Sequence, residues 1–298
     1  MSEPAKPVED LHPETIAAAK ERKLSGAFDG KRLLKILGEM AKIDESVGAI
    51  IDRAHKRGVA MGLATFATFF GGAFITAFTG LWMVFAIPVV TGIAAAKYLI
   101  QAYRMKKRDD MLDDFRVLIR PVLRDVLADL DPEKKVKARL DLTGMADSKQ
   151  VSKKELPPGR FQKLTETVQK DPWCELRLPL ADGSVMTLEV TNEYHKIERR
   201  YKGRSGKTKW KSKWRKEAEV AATLLPPPGT KWNESAQVAG ADEKLKSFEK
   251  DGVTGKCLQH YWSFKDASES VASVCPPPRE VVGMMLRLHN ALAGGSQS

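Results

Sequence analysis

Cysteine is scarce in this chain of 298 residues, and its few copies lie far apart. Cys174, Cys257 and Cys275 are odd in number and form no Cys-x-x-Cys pair. Disulfide scaffolds need an even, dense set of cysteines, and structural zinc sites need closely spaced ligands. We therefore exclude both kinds of site and expect the polar parts of the chain to lie in a reducing compartment.

Catalytic and metal-binding motifs are also missing from the sequence. The five histidines form no metal-ligand spacing, and there is no Gly-x-Ser-x-Gly, His-Glu-x-x-His or dinucleotide-binding motif. Residues 203–208, Gly-Arg-Ser-Gly-Lys-Thr, share the end of a phosphate-binding P-loop, but Tyr201 stands where that motif requires its first glycine. We therefore predict a protein that is not an enzyme and that binds no cofactor and no metal.

Charged residues are absent from residues 58–96, a run of 39 positions without Asp, Glu, Lys, Arg or His. A membrane-spanning helix needs about 20 apolar residues, so the run is long enough for two spans. We predict a two-span transmembrane helical hairpin over 58–100, with spans at 58–78 and 81–100 and a turn at Thr79-Gly80. A turn at Gly71-Gly72 or at Pro88 would instead give a shallow re-entrant hairpin, and a buried core helix pair is a third interpretation.

Cations flank this run at both ends, at positions 55–57 and again from Lys97 to Arg108. Because positive charge collects on the cytoplasmic side of membrane proteins, both ends are expected there. The first 30 residues lack the basic start and apolar core of a secretory signal. The sequence therefore predicts a multi-pass protein of the cytoplasmic (inner) membrane with both termini in the cytoplasm.

Small residues spaced four apart occur within the predicted hairpin. Such residues let membrane helices approach closely, because lipid provides no hydrophobic drive between them. They would pack the two spans together or join copies into a homo-oligomer. The predicted helix-packing residues are Gly58, Gly62, Ala67, Gly71, Gly92 and Ala96.

The rest of the chain divides by pattern into helical and β-rich parts. An apolar stripe from Leu33 to Ile51 predicts an amphipathic helix that packs on its own chain or forms a coiled coil. Asp182-Gly183, between two alternating segments, is a strong hairpin signal. The predicted layout is a disordered N-terminal segment (1–29), an amphipathic juxtamembrane helix (30–57), the transmembrane hairpin (58–100), a second amphipathic helix (101–130), a linker (131–172) and a cytoplasmic β-rich domain with a terminal helix (173–298).

The fold class predicted from these segments is an α+β membrane protein whose C-terminal domain is a small β sandwich or barrel. Its most interpretable surface is a basic β-hairpin, because residues 193–219 carry +7 of the formal net charge of +11. From Lys207 to Arg215 cations alternate with Thr, Trp and Ser, which is the period of a β-strand. The candidate anion-binding residues are Lys196, Arg199, Arg200, Lys202, Lys207, Lys209, Lys211, Lys213 and Arg215.

Like charges along one strand repel unless an anion relieves them, so these residues indicate an anionic partner. Anionic lipid headgroups or an acidic protein are the expected partners, with membrane lipids around the hairpin. Nucleic acid is less favoured, and a solvated edge strand whose lysines prevent aggregation is the alternative without a partner.

The function expected from the sequence is that of a non-enzymatic membrane anchor or scaffold that presents the basic hairpin. An oligomeric membrane-active or pore-forming protein is the first alternative, and a membrane-tethered nucleic-acid binder is the second.

Overall fold

A computed structural model describes residues 12–79, 86–109, 111–157, 159, 161–230, 232, 243–250, 252–267 and 275–293. Its helices are α1 (Pro13–Glu21), α2 (Gly30–Thr79), α3 (Ala86–Asp109), a π-helix (Phe115–Ile119), α4 (Arg120–Val126) and α5 (Pro278–Ala293). Its strands are β1 (Lys23–Phe28), β2 (Val136–Asp141), β3 (Lys149–Leu156), β4 (Lys163–Pro179), β5 (Val185–Lys202), β6 (Thr208–Leu225), β7 (Glu243–Lys250) and β8 (Val253–Ala267). Short 3-10 turns lie at Leu127–Asp129 and Gly144–Asp147.

The described strands form one antiparallel sheet of eight strands in the order β1-β2-β4-β5-β6-β8-β7, with β3 paired to the outer half of β4. The chain is therefore α+β, but the expected small sandwich or barrel is wrong. The hairpin at Asp182-Gly183 is found, with Pro179 opposite Val185 and the Ser184 amide donating to the Asp182 carboxylate. Gly183 has φ of +85°, a conformation that favours glycine in such a turn.

Three strands of this sheet come from segments that the sequence analysis assigned to other states. The expected disordered segment 1–29 contains α1 and β1, while residues 1–11 lie outside the described residues. The expected linker 131–172 contains β2, β3 and the first part of β4. These segments are rich in lysine, and their alternation is short, as in β2, where buried and exposed residues alternate over six positions. Pairing with distant strands, rather than local propensity, fixes their structure.

The chain divides into two compact units, of which unit 2 comprises residues 12–39 and 111–293 of the described chain. One face of its sheet carries the fully buried side chains of Leu176, Leu188 and Leu258. Helix α5 packs on α4, β6 and β8, and its own apolar residues Val281 and Leu288 are fully buried. The core of unit 2 thus lies between one face of the sheet and these helices.

Unit 1 comprises residues 40–109 of the described chain and contains the rest of α2 together with α3. Over the described residues, no helix combines the length and the apolar character that a membrane crossing requires. A membrane span needs about 20 apolar residues within one helix. The predicted transmembrane hairpin and the multi-pass inner-membrane location with both termini in the cytoplasm are therefore wrong.

The predicted turn of the hairpin at Thr79-Gly80 falls at the end of α2, and residues 80–85 lie outside the described residues. Within unit 1, a Cβ on Gly58 would come within 2.8 Å of the Leu99 side chain, and one on Gly92 within 3.4 Å of Thr65. The Thr65 and Thr91 hydroxyls are hydrogen-bonded at 2.9 Å. Gly58 and Gly92 thus lie where α2 and α3 approach each other. No described atom lies within 4 Å of a Cβ placed on Gly62 or Gly71, and Ala67 and Ala96 are exposed.

Candidate functional site

The outer half of the sheet forms a separate region, which we call the β-arm. It consists of β3 together with residues 163–170 of β4, 194–202 of β5, the turn 203–207 and residues 208–215 of β6. The two longest strands, β5 and β6, pair without a register shift from Val185 opposite Leu225 to Lys202 opposite Thr208. At the hairpin end of this ladder, residues 208–213 of β6 are all exposed.

One face of the β-arm, the lysine face, is built from residues that alternate along β5 and β6. Arg199 lies opposite Lys211, and Tyr201 lies opposite Lys209. Residues that face each other in an antiparallel pair project to the same side of the sheet. The lysine face therefore collects Arg199, Tyr201, Lys209, Lys211, Lys213 and Arg215.

The opposite face of the β-arm, the tryptophan face, also carries cations. Arg200 lies opposite Trp210, with its guanidinium carbon 5.6 Å from the ring centroid, and the Lys196 ammonium lies 5.7 Å from the ring of Trp214. Both are cation–π distances. Trp210 is 63% exposed. The predicted anion-binding residues are thus divided between two faces of the β-arm, with Lys207 in the turn.

Several of these cations already have partners within the protein. Lys196 pairs with Glu198 at 2.8 Å, and Arg215 pairs with Glu217 and donates to the Ser263 hydroxyl at 3.0 Å. Arg199 has its guanidinium carbon 5.4 Å from the ring centroid of Phe161. Among the described residues no ion pair involves Lys202, Lys207, Lys209 or Lys211. These four side chains therefore keep their charge available to a partner.

Strand β3 adds cations to the β-arm that the sequence analysis missed. Lys153 and Lys154 are exposed, and Lys163 of β4 pairs with Glu155 at 2.5 Å. Residues 149–156 have mostly polar side chains, so they lack the apolar alternation by which a strand is normally found. Only their pairing with β4 brings them to the site.

Acidic residues mark the inner limit of the lysine face. The His195 ring nitrogens lie 3.0 Å from Glu166, 3.4 Å from Glu193 and 3.7 Å from Glu217. Farther along the same face, burial and the carboxylates of Glu175 and Glu219 raise the pKa of Glu189. No group of His, Cys, Asp or Glu in the described part of the chain has the arrangement of a metal site. The acidic residues therefore end the lysine face at its inner edge.

A buried ion pair lies directly behind the β-arm, at the next residue of β6. The Lys216 ammonium contacts the Asp114 carboxylate at 2.7 Å, and both side chains are almost fully buried, with 0% and 1% exposure. The Asn192 amide donates to the same carboxylate oxygen at 3.0 Å. Burial raises the pKa of Asp114, and the Lys216 ammonium opposes this effect. The partners are 102 residues apart, so no sequence pattern indicates the pair.

Two of the three cysteines, Cys174 and Cys275, lack the low pKa of an activated nucleophile. Burial raises the pKa of the Cys174 thiol well above its ordinary value, and burial with the nearby Asp114 carboxylate raises the pKa of Cys275 to about 11. A thiol with a raised pKa stays protonated at neutral pH and is a poor nucleophile. Neither cysteine therefore has the low pKa of a reactive thiol.

The β-arm is consequently the described region whose chemistry points most directly to a partner. It combines unpaired cations, cation–π pairs and an exposed tryptophan on an extended, regular piece of sheet. No protein-family model matches the chain, and it matches no curated protein and no solved structure.

Proposed function

We propose that the chain is a non-catalytic binding protein whose β-arm binds a polyanionic chain, and that this chain is a nucleic acid. The observation that carries the proposal is the arrangement of lysines without ion pairs among aromatic rings on the β-arm. Phosphates spaced along a backbone match cations spaced along strands, and bases stack on aromatic side chains. Like charges on neighbouring positions cost stability until such a partner relieves them.

The distribution of the cations over both faces favours a nucleic acid over the lipid surface expected from the sequence. A bilayer is flat on the scale of the β-arm and meets one of its faces at a time. Lys209 and Lys211 lie on the lysine face, whereas Arg200 and Lys202 lie on the tryptophan face. A flexible nucleic-acid strand can contact both faces around the turn. An acidic protein would also engage the cations, and polyglutamate is the probe that separates such a partner from a nucleic acid.

The proposal is tested by neutralising the three unpaired lysines at the end of the hairpin, Lys207→Gln, Lys209→Gln and Lys211→Gln together. Binding of the full chain to labelled oligonucleotides is followed by fluorescence anisotropy over a range of salt concentrations. Affinity should fall, and for a single strand the slope of log K against log salt should decrease by about 2, since each neutralised phosphate contributes about 0.7.

A matched variant carries the same change at lysines outside the β-arm, Lys135→Gln, Lys137→Gln and Lys246→Gln, all of which are exposed. It should retain the wild-type affinity and salt slope. Equal losses in both variants would show only a response to net charge and would overturn the proposal. Binding to anionic vesicles or to polyglutamate that equals binding to the oligonucleotides would also reject a nucleic-acid partner.

We also propose that copies of the chain associate through the apolar surface of unit 1. Leu63, Phe66, Val90 and Ile93 of α2 and α3 are 65–67% exposed. Exposed apolar patches of this kind mark interaction surfaces. A groove of about 540 Å³, lined by Thr65, Phe66 and Pro88 among others, lies on the same unit.

Light scattering during size-exclusion chromatography measures this association. The wild-type chain should elute as an oligomer, and the double variant Leu63→Gln with Ile93→Gln should shift toward the mass of one chain. Tyr103→Gln serves as the control, because Tyr103 is also exposed but carries a polar hydroxyl group. This variant should leave the mass unchanged. A wild-type chain that elutes as a monomer at all concentrations would refute the association.

A further inference from the structure

The end of the β-arm contains a cleft of about 630 Å³ between the loop that leads into β4 and strands β5 and β6. Its lining includes Phe161, Gln162, Arg199, Tyr201 and Lys211. The backbone amide of Gln162 donates to the backbone carbonyl of Arg200 at 2.8 Å and thereby holds the loop against β5. The cleft is therefore already formed in the free chain.

Two aromatic rings and one guanidinium group contribute flat surfaces to this cleft. Arg199 lies with its guanidinium carbon 5.4 Å from the ring centroid of Phe161, and Tyr201 follows two residues later on the same face. Both rings are half-buried, so they are held in place but remain accessible. Aromatic rings and guanidinium planes are the surfaces on which proteins stack unpaired bases.

The polar groups of the cleft suit an anion beside such a base. The Arg199 Nε atom is buried, and no described residue accepts a hydrogen bond from it. Lys211, directly opposite Arg199, is exposed and forms no ion pair with a described residue. Arg199 and Lys211 together present donors that match the oxygens of a phosphodiester. A cleft of this volume lies in the range of small-ligand pockets.

Resting on the proposed function, we infer that this cleft binds one unstacked nucleobase with its adjoining phosphate and that the β-arm therefore prefers single-stranded nucleic acid. The base stacks against Phe161 or Tyr201, while the phosphate lies against Arg199 and Lys211. Bases within a duplex are paired and stacked on their neighbours, so they do not enter such a cleft without being extruded. The lysines outside the cleft contact phosphates of either form.

The test compares a labelled single strand and a duplex of the same sequence on the full chain. In the double variant Phe161→Leu with Tyr201→Leu, apolar bulk remains but both rings are lost. Affinity for the single strand should fall about tenfold or more, which corresponds to the loss of stacking of one base, whereas duplex affinity should stay unchanged. Tyr103→Leu, an exposed aromatic of unit 1, is the control and should change neither.

The outcomes separate the inference from the function on which it rests. If the wild-type chain binds neither form, the proposed function fails and the inference fails with it. If the wild-type chain binds both forms equally and the double variant loses neither selectively, the inference alone is overturned. Photo-crosslinking with a bromouracil-containing single strand gives an independent readout, in which adducts should map to Phe161 or Tyr201. Adducts found only outside the cleft would contradict the assignment.

Discussion

The inner and outer halves of strands β4, β5 and β6 have the same backbone pattern but opposite surroundings. In the inner half Leu188 is fully buried, and helices α4 and α5 supply apolar residues to the same core. In the outer half, the β-arm, Lys209 and Lys211 are exposed on one face and Trp210 on the other. The strands continue from one environment into the other without a register shift between β5 and β6.

This difference shows that side-chain alternation predicts a strand but not what its faces contact. In the inner half one face is covered, so its side chains are apolar or, like Lys216, paired within the core. In the β-arm, charge and aromatic rings occupy both faces, which is a costly arrangement for an isolated piece of sheet. We therefore expect substitutions in the inner half to change stability and substitutions in the β-arm to change binding.

The largest expected effect is at Lys216, where the inner half begins. Lys216→Met leaves the Asp114 carboxylate buried without its counterion, and breaking a buried pair in this way costs about 3–5 kcal/mol of unfolding free energy. Adding Asp114→Asn should restore most of the loss, because it removes the unpaired charge and keeps an acceptor for Asn192. Urea denaturation followed by tryptophan fluorescence measures both variants, with the buried Trp173 as a reporter.

The matched change in the β-arm is Lys211→Met, five residues earlier on the same strand. An exposed lysine without an ion pair should change the unfolding free energy by no more than about 0.5 kcal/mol. If Lys216→Met and Lys211→Met destabilised the chain equally, the contrast between the two halves of the sheet would be lost.

A smaller effect is expected from apolar residues of the two halves. Leu188→Ala removes a fully buried side chain and should cost about 2–5 kcal/mol. Ile197→Ala, nine residues later on β5, removes a half-buried side chain from the lysine face and should cost less, about 1 kcal/mol. The same denaturation experiment gives both values, and a loss at Ile197 as large as that at Leu188 would mean that the β-arm has a core of its own.

The sequence predicted those parts of this structure that depend on neighbouring residues. Asp182-Gly183 locates the β4–β5 hairpin, and the alternation from Lys207 to Arg215 locates the cationic strand, because both signals are local. The pairing of β3 with β4 and the contact between Lys216 and Asp114 join distant segments, so no local pattern reports them. The placement of Arg199 on the same face as Lys211, and of Arg200 on the same face as Trp210, required the register of β5 with β6.

The uncharged run of residues 58–96 shows the limit of composition as a guide. It predicted two membrane spans because it lacks charge, yet the described helices do not provide one. The helices α2 and α3 instead meet at Gly58, Thr65 and Gly92 and leave Leu63 and Phe66 exposed. A lack of charge permits a membrane span but does not establish one, because a span also needs about 20 apolar residues within one helix.

The smallest expected effect concerns Tyr261 of β8. It lies opposite Glu219, on the acidic inner part of the sheet face whose outer part is the lysine face. Burial, together with the hydrogen bond that its hydroxyl donates to Glu219, raises the pKa of Tyr261 to about 12 from an ordinary value of 10.0. The folded chain holds this proton more tightly than the unfolded chain. The resulting contribution to the free energy of unfolding is therefore complete below pH 10 and is lost as pH rises through 12. Alkaline titration of tyrosinate absorbance should therefore lose one late step in Tyr261→Phe. Glu219→Gln removes the accepting charge and should lower the pKa of Tyr261, whereas an unchanged titration would show that this carboxylate does not act on the phenol.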